Sequence, residues 1–282
     1  MIAFMATWAL CSILAGASIV AGLLGSLTGL GGGVVIIPLL TIAMGVDIRY
    51  AIGASLVSVI ATSSGAAAAY VRDGISSIRI GMFLEIATTL GALGGAFVAL
   101  YVPAGAIALI FGLVLLHSAY LMLRSPPGDG PPVAPDPLAT RLRMNGTFPG
   151  RDGPRSYNVR NVPAGFAMMA VAGMLSGLLG IGSGALKVIA MDRVMRIPFK
   201  VSTTTSNFMI GVTAAASAGV YLNRGYVDPV LALPVMIGVL AGSLVGSRFL
   251  AAAGTRALRI VFAVTIVLLA VQMILKSVTG WL

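Results

Sequence analysis

Apolar runs of membrane-spanning length recur along this sequence, and nearly all of its charge sits in the short stretches between them. A span needs about 20 mostly apolar residues, and in lipid its backbone polar groups must be satisfied within the segment, as in a helix. A water-soluble chain carries roughly a quarter of its residues charged; here 9% are charged and 58% are hydrophobic. Lipid is therefore the solvent, and the expected fold class is an all-α polytopic membrane protein. The first run, Ile2 to Leu24, lacks the basic flank of a signal peptide and is read as a true span.

The net charge of +10 does not point to nucleic acid, because the basic residues are scattered between apolar runs rather than clustered with aromatics. Short cytoplasmic loops rich in Lys and Arg account for the excess. The single cysteine, Cys11, excludes an intramolecular disulfide and a Cys-rich metal site. No metal and no cofactor are expected.

The sequence also repeats itself. At an offset of 151 residues, Gly22, Gly29, Gly31 and Gly33 fall on Gly173, Gly180, Gly182 and Gly184. Ser55 falls on Ser206, Thr62 on Thr213, Tyr70 on Tyr221, Gly74 on Gly225, and Gly91 and Gly95 on Gly242 and Gly246. A constant offset carrying Ser, Thr, Tyr and Gly together marks a duplication. Residues 1–123 form the first membrane repeat and residues 161–282 the second. Each half holds about five apolar segments: 2–26, 33–46, 51–70, 79–100 and 104–123, then 163–180, 185–197, 202–221, 229–250 and 257–276. The second segment of each half is short and follows a glycine run, which predicts a half-helix, a broken helix or a re-entrant piece.

Residues 124–160 separate the halves. Their "RSPPGDGPPVAPDP" run and five arginines read as a flexible, cytoplasmic Pro/Gly/Arg-rich linker. With the linker inside and five crossings per half, Arg72, Arg79, Arg193, Arg196, Lys200, Arg248, Arg256 and Arg259 also lie inside, while Arg49, Arg224 and Lys276 lie outside. An odd number of crossings makes the halves inverted repeats and places both termini on the periplasmic side of a bacterial inner membrane. Inverted halves around a midplane site are typical of secondary transporters.

Two stretches offer ligands. In "GSLTGLGGGVVIIP" (25–38) and "GLLGIGSGALKV" (177–188), glycines weaken the helix, and the freed amide N–H groups can face an anion. Gly31, Gly32, Gly33, Gly182, Ser183 and Gly184 are the candidates there. The structural alternative is close helix packing through small-xxx-small spacing, which is the preferred reading for Gly91, Gly95, Gly242 and Gly246. In "STTTSN" (202–207), matched by "AIGASL" (51–56), Ser202 and Thr203 are expected to cap a helix. Ser206 and Asn207, with Ser55 in the first half, are candidate uncharged donors.

Lys187 lies in an apolar stretch, where an intramembrane charge is costly and functional by default; its alternative is snorkelling to the interface. Glu85, in "IGMFLEIATTL", is the one carboxylate clearly within an apolar run and is the candidate proton carrier. His117 reads as interfacial. One His, one Cys and no second acid near Glu85 supply neither a metal cluster nor a nucleophile with its base, so the chain is not expected to be an enzyme.

The stretches "GLGGGVVIIPLLTIAMGVDIRYAIGASLVSV" and "KVIAMDRVMRIPFKVSTTTSNFMIGVTAAASAGVYLNRGYVDP" resemble the two halves of the TauE/SafE, or sulfite exporter, family. The resemblance covers both membrane halves and omits the linker. It implies a transporter of small sulfur-containing oxyanions, sulfite or organosulfonates, in the bacterial inner membrane. The second copy departs from the first in having "GSG" for the glycine triplet and Ile189 where Pro38 stands. The residues themselves agree with an anion, since the candidate ligands are all donors.

The expectation is therefore export of such anions by alternating access. A negative interior favours export by about 2.3 kcal/mol per charge per 100 mV, so no coupling ion is required. The alternatives are a proton-coupled importer of a small organic anion and a non-transporting membrane scaffold that uses the linker. Expected partners are a small anionic substrate and the lipid bilayer, and the oligomeric state stays open, a homodimer being one arrangement.

Overall fold

The computed structural model describes residues 2–28, 32–72, 74–124, 136–150, 153–250 and 255–278. The first half comprises α1 (Ile2–Thr28), α2 (Gly33–Pro38), a π-helical turn (Leu39–Ala43), α3 (Ile48–Arg72), α4 (Ile78–Ala99) and α5 (Ala104–Arg124). A connecting region holds α6 (Pro137–Arg141) and an antiparallel hairpin, β1 (Gly146–Gly150) with β2 (Gly153–Tyr157). The second half repeats the order: α7 (Val162–Leu179), α8 (Gly184–Ile189), a π-helical turn (Ala190–Val194), α9 (Phe199–Asn223), α10 (Pro229–Leu250) and α11 (Thr255–Val278).

The chain is an all-α membrane protein. Among the described residues, Ile78–Ala99, Val162–Leu179 and Pro229–Gly246 are long and apolar enough to cross a bilayer. Met82, Ile86, Leu90, Leu93 and Phe97 make an exposed apolar stripe along α4 at helical spacing, and a lipid solvent removes the penalty for that exposure.

Helices pair across the halves. α1 lies along α10 and α7 along α4, while α3, α9, α4 and α10 pack together and α5 meets α11. Glycine makes the two close crossings. A Cβ at Gly242 would run into the carbonyl oxygen of Ile19, and one at Gly91 into that of Ala170; Gly22 and Gly173 likewise abut the backbones of Val239 and Thr88. Gly95 lies on the Met174 carbonyl, and Gly246 on Ser26 and Leu23. Both partners of each crossing are related by the 151-residue offset, so packing is the role of these four mid-segment glycines. The contacts advance together, Ala15 with Gly238 and Ile19 with Gly242, then Ala170 with Gly91 and Met174 with Gly95. Each pair therefore runs in the same direction.

The short second segments are real and alike. Each has six α-helical residues followed by a five-residue π turn, together about 16 Å at 1.5 Å per residue, against a hydrocarbon core of about 30 Å. Pro38 ends the first α segment, yet the second forms the same π turn with Ile189 in its place. The turn therefore does not depend on the missing proline N–H.

Residues 136–160 correct the expectation of an irregular linker. Asp136 Oδ1 caps α6 by accepting from the Leu138 amide (2.9 Å) and Oδ2 accepts from the Val162 amide (3.3 Å), while Asn145 Oδ1 accepts from the Val159 amide (2.9 Å). Ala139, Met144, Phe148 and Val159 are buried against Ile80, Met191, Met195 and Val201. The composition argument failed because a few apolar side chains in this stretch share the core of the adjoining helices. Arg160 N–H donates to the Met195 carbonyl (3.0 Å) and the Asn161 amide to that of Val194 (3.3 Å), which ties this cap to the end of the second π turn. The remainder of the linker, 125–135 and 151–152, lies outside the described residues.

Candidate functional site

The second glycine break is built from left-handed backbone. Gly180 and Gly182 have φ of +66° and +68°, and Ser183, a non-glycine, has φ of +43°. Glycine is unstrained in that region, and a side chain there carries a conformational cost. Ser183 is buried, and its hydroxyl donates to the Ala172 carbonyl at 2.5 Å. In the first break Gly32 is right-handed, Gly33 packs on Ser55 and on the Gly180 carbonyl, and Gly31 lies outside the described residues. Ser55 donates to that same carbonyl at 2.7 Å. The two breaks thus meet through Gly33, Ser55 and Gly180, and Gly182 sits close by against Val59 and Ile210.

α9 begins at Phe199 with Pro198 at its N-cap. Ser202 and Thr203 are therefore one turn inside the helix and do not cap it. Ser202 donates to the Ile197 carbonyl (3.2 Å). Thr204 donates toward the Ile75 carbonyl (3.3 Å) and Thr205 accepts from the Ser77 amide (3.0 Å), so this part of the hydroxyl run fastens the turn before α4. Deeper in the helix, Ser206 donates to the Gly184 carbonyl (3.3 Å) and the Asn207 amide to the Ser26 carbonyl (3.3 Å). Asn207 Oδ1 is buried without a hydrogen-bond partner.

The structure brings two residues together that the sequence kept apart. Lys187 on α8 is fully buried, which excludes snorkelling. Its Nζ donates to Thr213 Oγ1 on α9 at 2.5 Å and lies 3.9 Å from Glu85 Oε2 on α4. Thr213 Oγ1 lies 2.5 Å from Glu85 Oε1, and Thr89, one turn along α4, donates to the same oxygen at 3.1 Å. Glu85 Oε2 is buried and accepts no hydrogen bond. One hydroxyl thus accepts from the ammonium and can donate to the carboxylate. Charged groups inside a membrane are stable only when paired or solvated in this way.

Residues 14–273 match the family model described as Sulfite exporter TauE/SafE. The chain belongs to the TauE/SafE family. It is 29% identical over 269 residues to the probable membrane transporter protein YunE of Bacillus subtilis, covering 92% of this chain and 96% of that protein. It is 28% identical to the probable membrane transporter protein YdhB of the same organism, covering 81% of this chain and 85% of YdhB. A probable membrane transporter protein of Xylella fastidiosa is 26% identical, with 91% and 93% covered. No solved structure matches the chain closely.

The family match makes this chain a membrane transporter, and the expected family membership and integral-membrane character hold. Thr213 and Thr89 are the site residues that sequence reasoning passed over. The signals were present: Thr213 is the repeat mate of Thr62, and Thr89 stands four residues after Glu85. His117 is exposed on α5. Beside it, Ser118 helps line a cavity of about 10 Å³ with Ser183, Gly184, Leu186 and Ile266, room for about one water. Ser55, Ser183, Ser206 and the Asn207 amide each donate to a backbone carbonyl, and Lys187 donates to Thr213. Among the described residues no group of three or more His, Cys, Asp or Glu side chains could hold a metal ion.

Proposed function

We propose that this TauE/SafE protein is a secondary transporter that exports small sulfur-containing oxyanions, sulfite or organosulfonates, across the bacterial inner membrane by alternating access. The observation that carries the reading is Lys187: a fully buried ammonium beside a hydroxyl, in a chain whose other candidate ligands are also donors. The two glycine breaks that meet at Gly33 and Gly180 supply backbone irregularity inside the protein, where a transporter lines its substrate path.

The halves are inverted repeats in this reading. Support comes from the packing sense. α7 runs with α4, and α4 with α9, whose contacts climb from Ser77–Thr205 through Gly81–Phe208 to Glu85–Thr213. α9 turns back through a short connection into α10, which runs with α1. α1 and α7 therefore oppose each other, as an odd number of crossings demands. The cap of residues 136–160 then lies on the cytoplasmic side.

Flux from proteoliposomes tests the proposal. Sulfite or a short organosulfonate moves with the wild-type protein, and Lys187→Met, if it purifies as a folded species, moves neither. No movement of either anion with folded wild-type protein sinks the substrate assignment. The second reading, a proton-coupled importer of a small organic anion, is favoured by one observation, the carboxylate of Glu85 against Lys187; pH-driven uptake of a small carboxylate, with no movement of sulfite or an organosulfonate, identifies it. A scaffold role would show as transport-independent function; deleting residues 126–158 does not isolate it, because part of that stretch packs on the membrane core.

A further inference from the structure

Lys187 Nζ has three N–H donors, and among the described residues it has one hydrogen-bond acceptor, Thr213. The nearest opposite charge, Glu85 Oε2, stands off at 3.9 Å and has no hydrogen-bond partner at all although it is buried. A cation with donors to spare thus faces an anion with an acceptor to spare. That arrangement has the parts of an oxyanion site, with a side chain in the place of the ligand.

We propose that Glu85 is the built-in counter-anion of Lys187: it and the transported oxyanion take turns on that ammonium, and Glu85 yields by taking up a proton. The proposal rests on the anion-transport reading above and holds for either direction. Charge balance gives the coupling. The empty site, carboxylate with ammonium, is neutral. Adding a monoanion leaves two anions around one buried cation, which low-dielectric surroundings penalise strongly. One proton from the aqueous phase converts Glu85 to the neutral acid and restores neutrality; Lys187 stays an ammonium, and its counter-ion is now the substrate. One proton therefore travels with each monoanion. Net flux then draws on the anion and proton gradients together, and the membrane potential contributes nothing to the net step.

No other described titratable group competes for this role: His117 on α5, which also touches α7 and α8, is exposed. α7 carries none, and α8 contributes only Lys187. On α9, Lys200 stands in the first turn and Tyr221 in the last, away from Thr213. On α4 itself Arg79 sits in the first turn and is engaged with the Arg143 carbonyl of the cap. The π turn after α8 adds Asp192 and Arg193, beyond the end of the helix that carries Lys187.

The test uses the purified full chain in proteoliposomes with sulfite, comparing net flux with sulfite–sulfite exchange. Wild-type net flux follows a pH gradient and is unchanged when the potential is clamped. Glu85→Gln loses at least ten-fold in net flux while still exchanging. Its loaded site is neutral, but its empty site leaves an unpaired ammonium that cannot reorient. Lys187→Met loses both modes, and Glu85→Asp keeps pH-driven net flux, which shows that the carboxyl and not the packing matters. A Glu85→Gln protein that keeps pH-driven net flux, or a folded one that loses exchange as well, overturns the proposal while leaving anion transport standing. Wild-type protein that moves no sulfite in either mode overturns the transport reading and the proposal with it.

Discussion

The two places where a short second segment packs between helices of opposite halves have the same order of short helix, π turn and long helix and opposite chemistry. One is made by α8, α9 and α4 and holds Lys187, Thr213 and Glu85. Its mate at the 151-residue offset, on α2, α3 and α10, holds Ile36, Thr62 and Met236. Only the threonine is common. In the first-half copy Thr62 donates to the Ser58 carbonyl of its own helix (2.9 Å) and Ile36 is fully buried. In the other, Thr213 reaches the Met209 carbonyl of its own helix in the same way (3.1 Å) and also stands between two charges. The apolar mate shows that this packing of short helix, π turn and long helix needs no ion pair. The pair is thus an addition that the fold tolerates, which is the pattern expected of function rather than of architecture.

The comparison breaks most sharply if one charge is removed alone. Lys187→Ile leaves Glu85 buried without its cation and should cost about 3–5 kcal/mol, read as a fall in the thermal unfolding midpoint in detergent. Adding Glu85→Met, which turns the site into a copy of its mate, should return stability to wild type or above, with transport still absent. If the double variant is as unstable as the single one, the pair is architectural and the comparison fails. The next effect is equal rather than opposite in the two halves. Gly91→Val and Gly242→Val push a side chain into the Ala170 and Ile19 carbonyls, and each should cost about 1–3 kcal/mol; unequal losses would show that the crossings are not equivalent. Comparable in size, Thr213→Val removes the bridge between two charges and should cost about 1–3 kcal/mol, whereas Thr62→Val loses one hydrogen bond within a helix, about 0.5–1.5 kcal/mol. The smallest is Pro38→Ile, which makes the first copy like the second; the midpoint should stay within a few degrees, because Ile189 already supports the same turn.

Much of this fold was legible because lipid and duplication leave strong marks. Apolar length gave the helices, and the constant offset gave the matched elements down to the π turns at Leu39–Ala43 and Ala190–Val194. The linker misled, since its prolines and glycines outweigh in composition the few buried side chains that order it, Met144 and Phe148 among them. The capping role given to Ser202 and Thr203 missed because proline fixed the helix start at Pro198, four residues earlier than Ser202. At the site, Lys187 and Glu85 were each recognisable as intramembrane charges, one by one. Their meeting was not, because it depends on α4 of the first half packing beside α9 of the second, a long-range pairing that no local pattern encodes. Thr213 was hidden for the related reason that a hydroxyl gains its role only from the two charges that flank it.

In the proposed cycle an oxyanion replaces Glu85 on Lys187, and Glu85 becomes protonated when it does. Infrared difference spectroscopy of the purified protein, with and without sulfite, reads that event directly. Sulfite binding should produce a protonated-carboxyl C=O band with loss of a carboxylate band, and both signals should vanish in Glu85→Gln. Sulfite binding without such a band, or a band that persists in Glu85→Gln, would contradict that cycle.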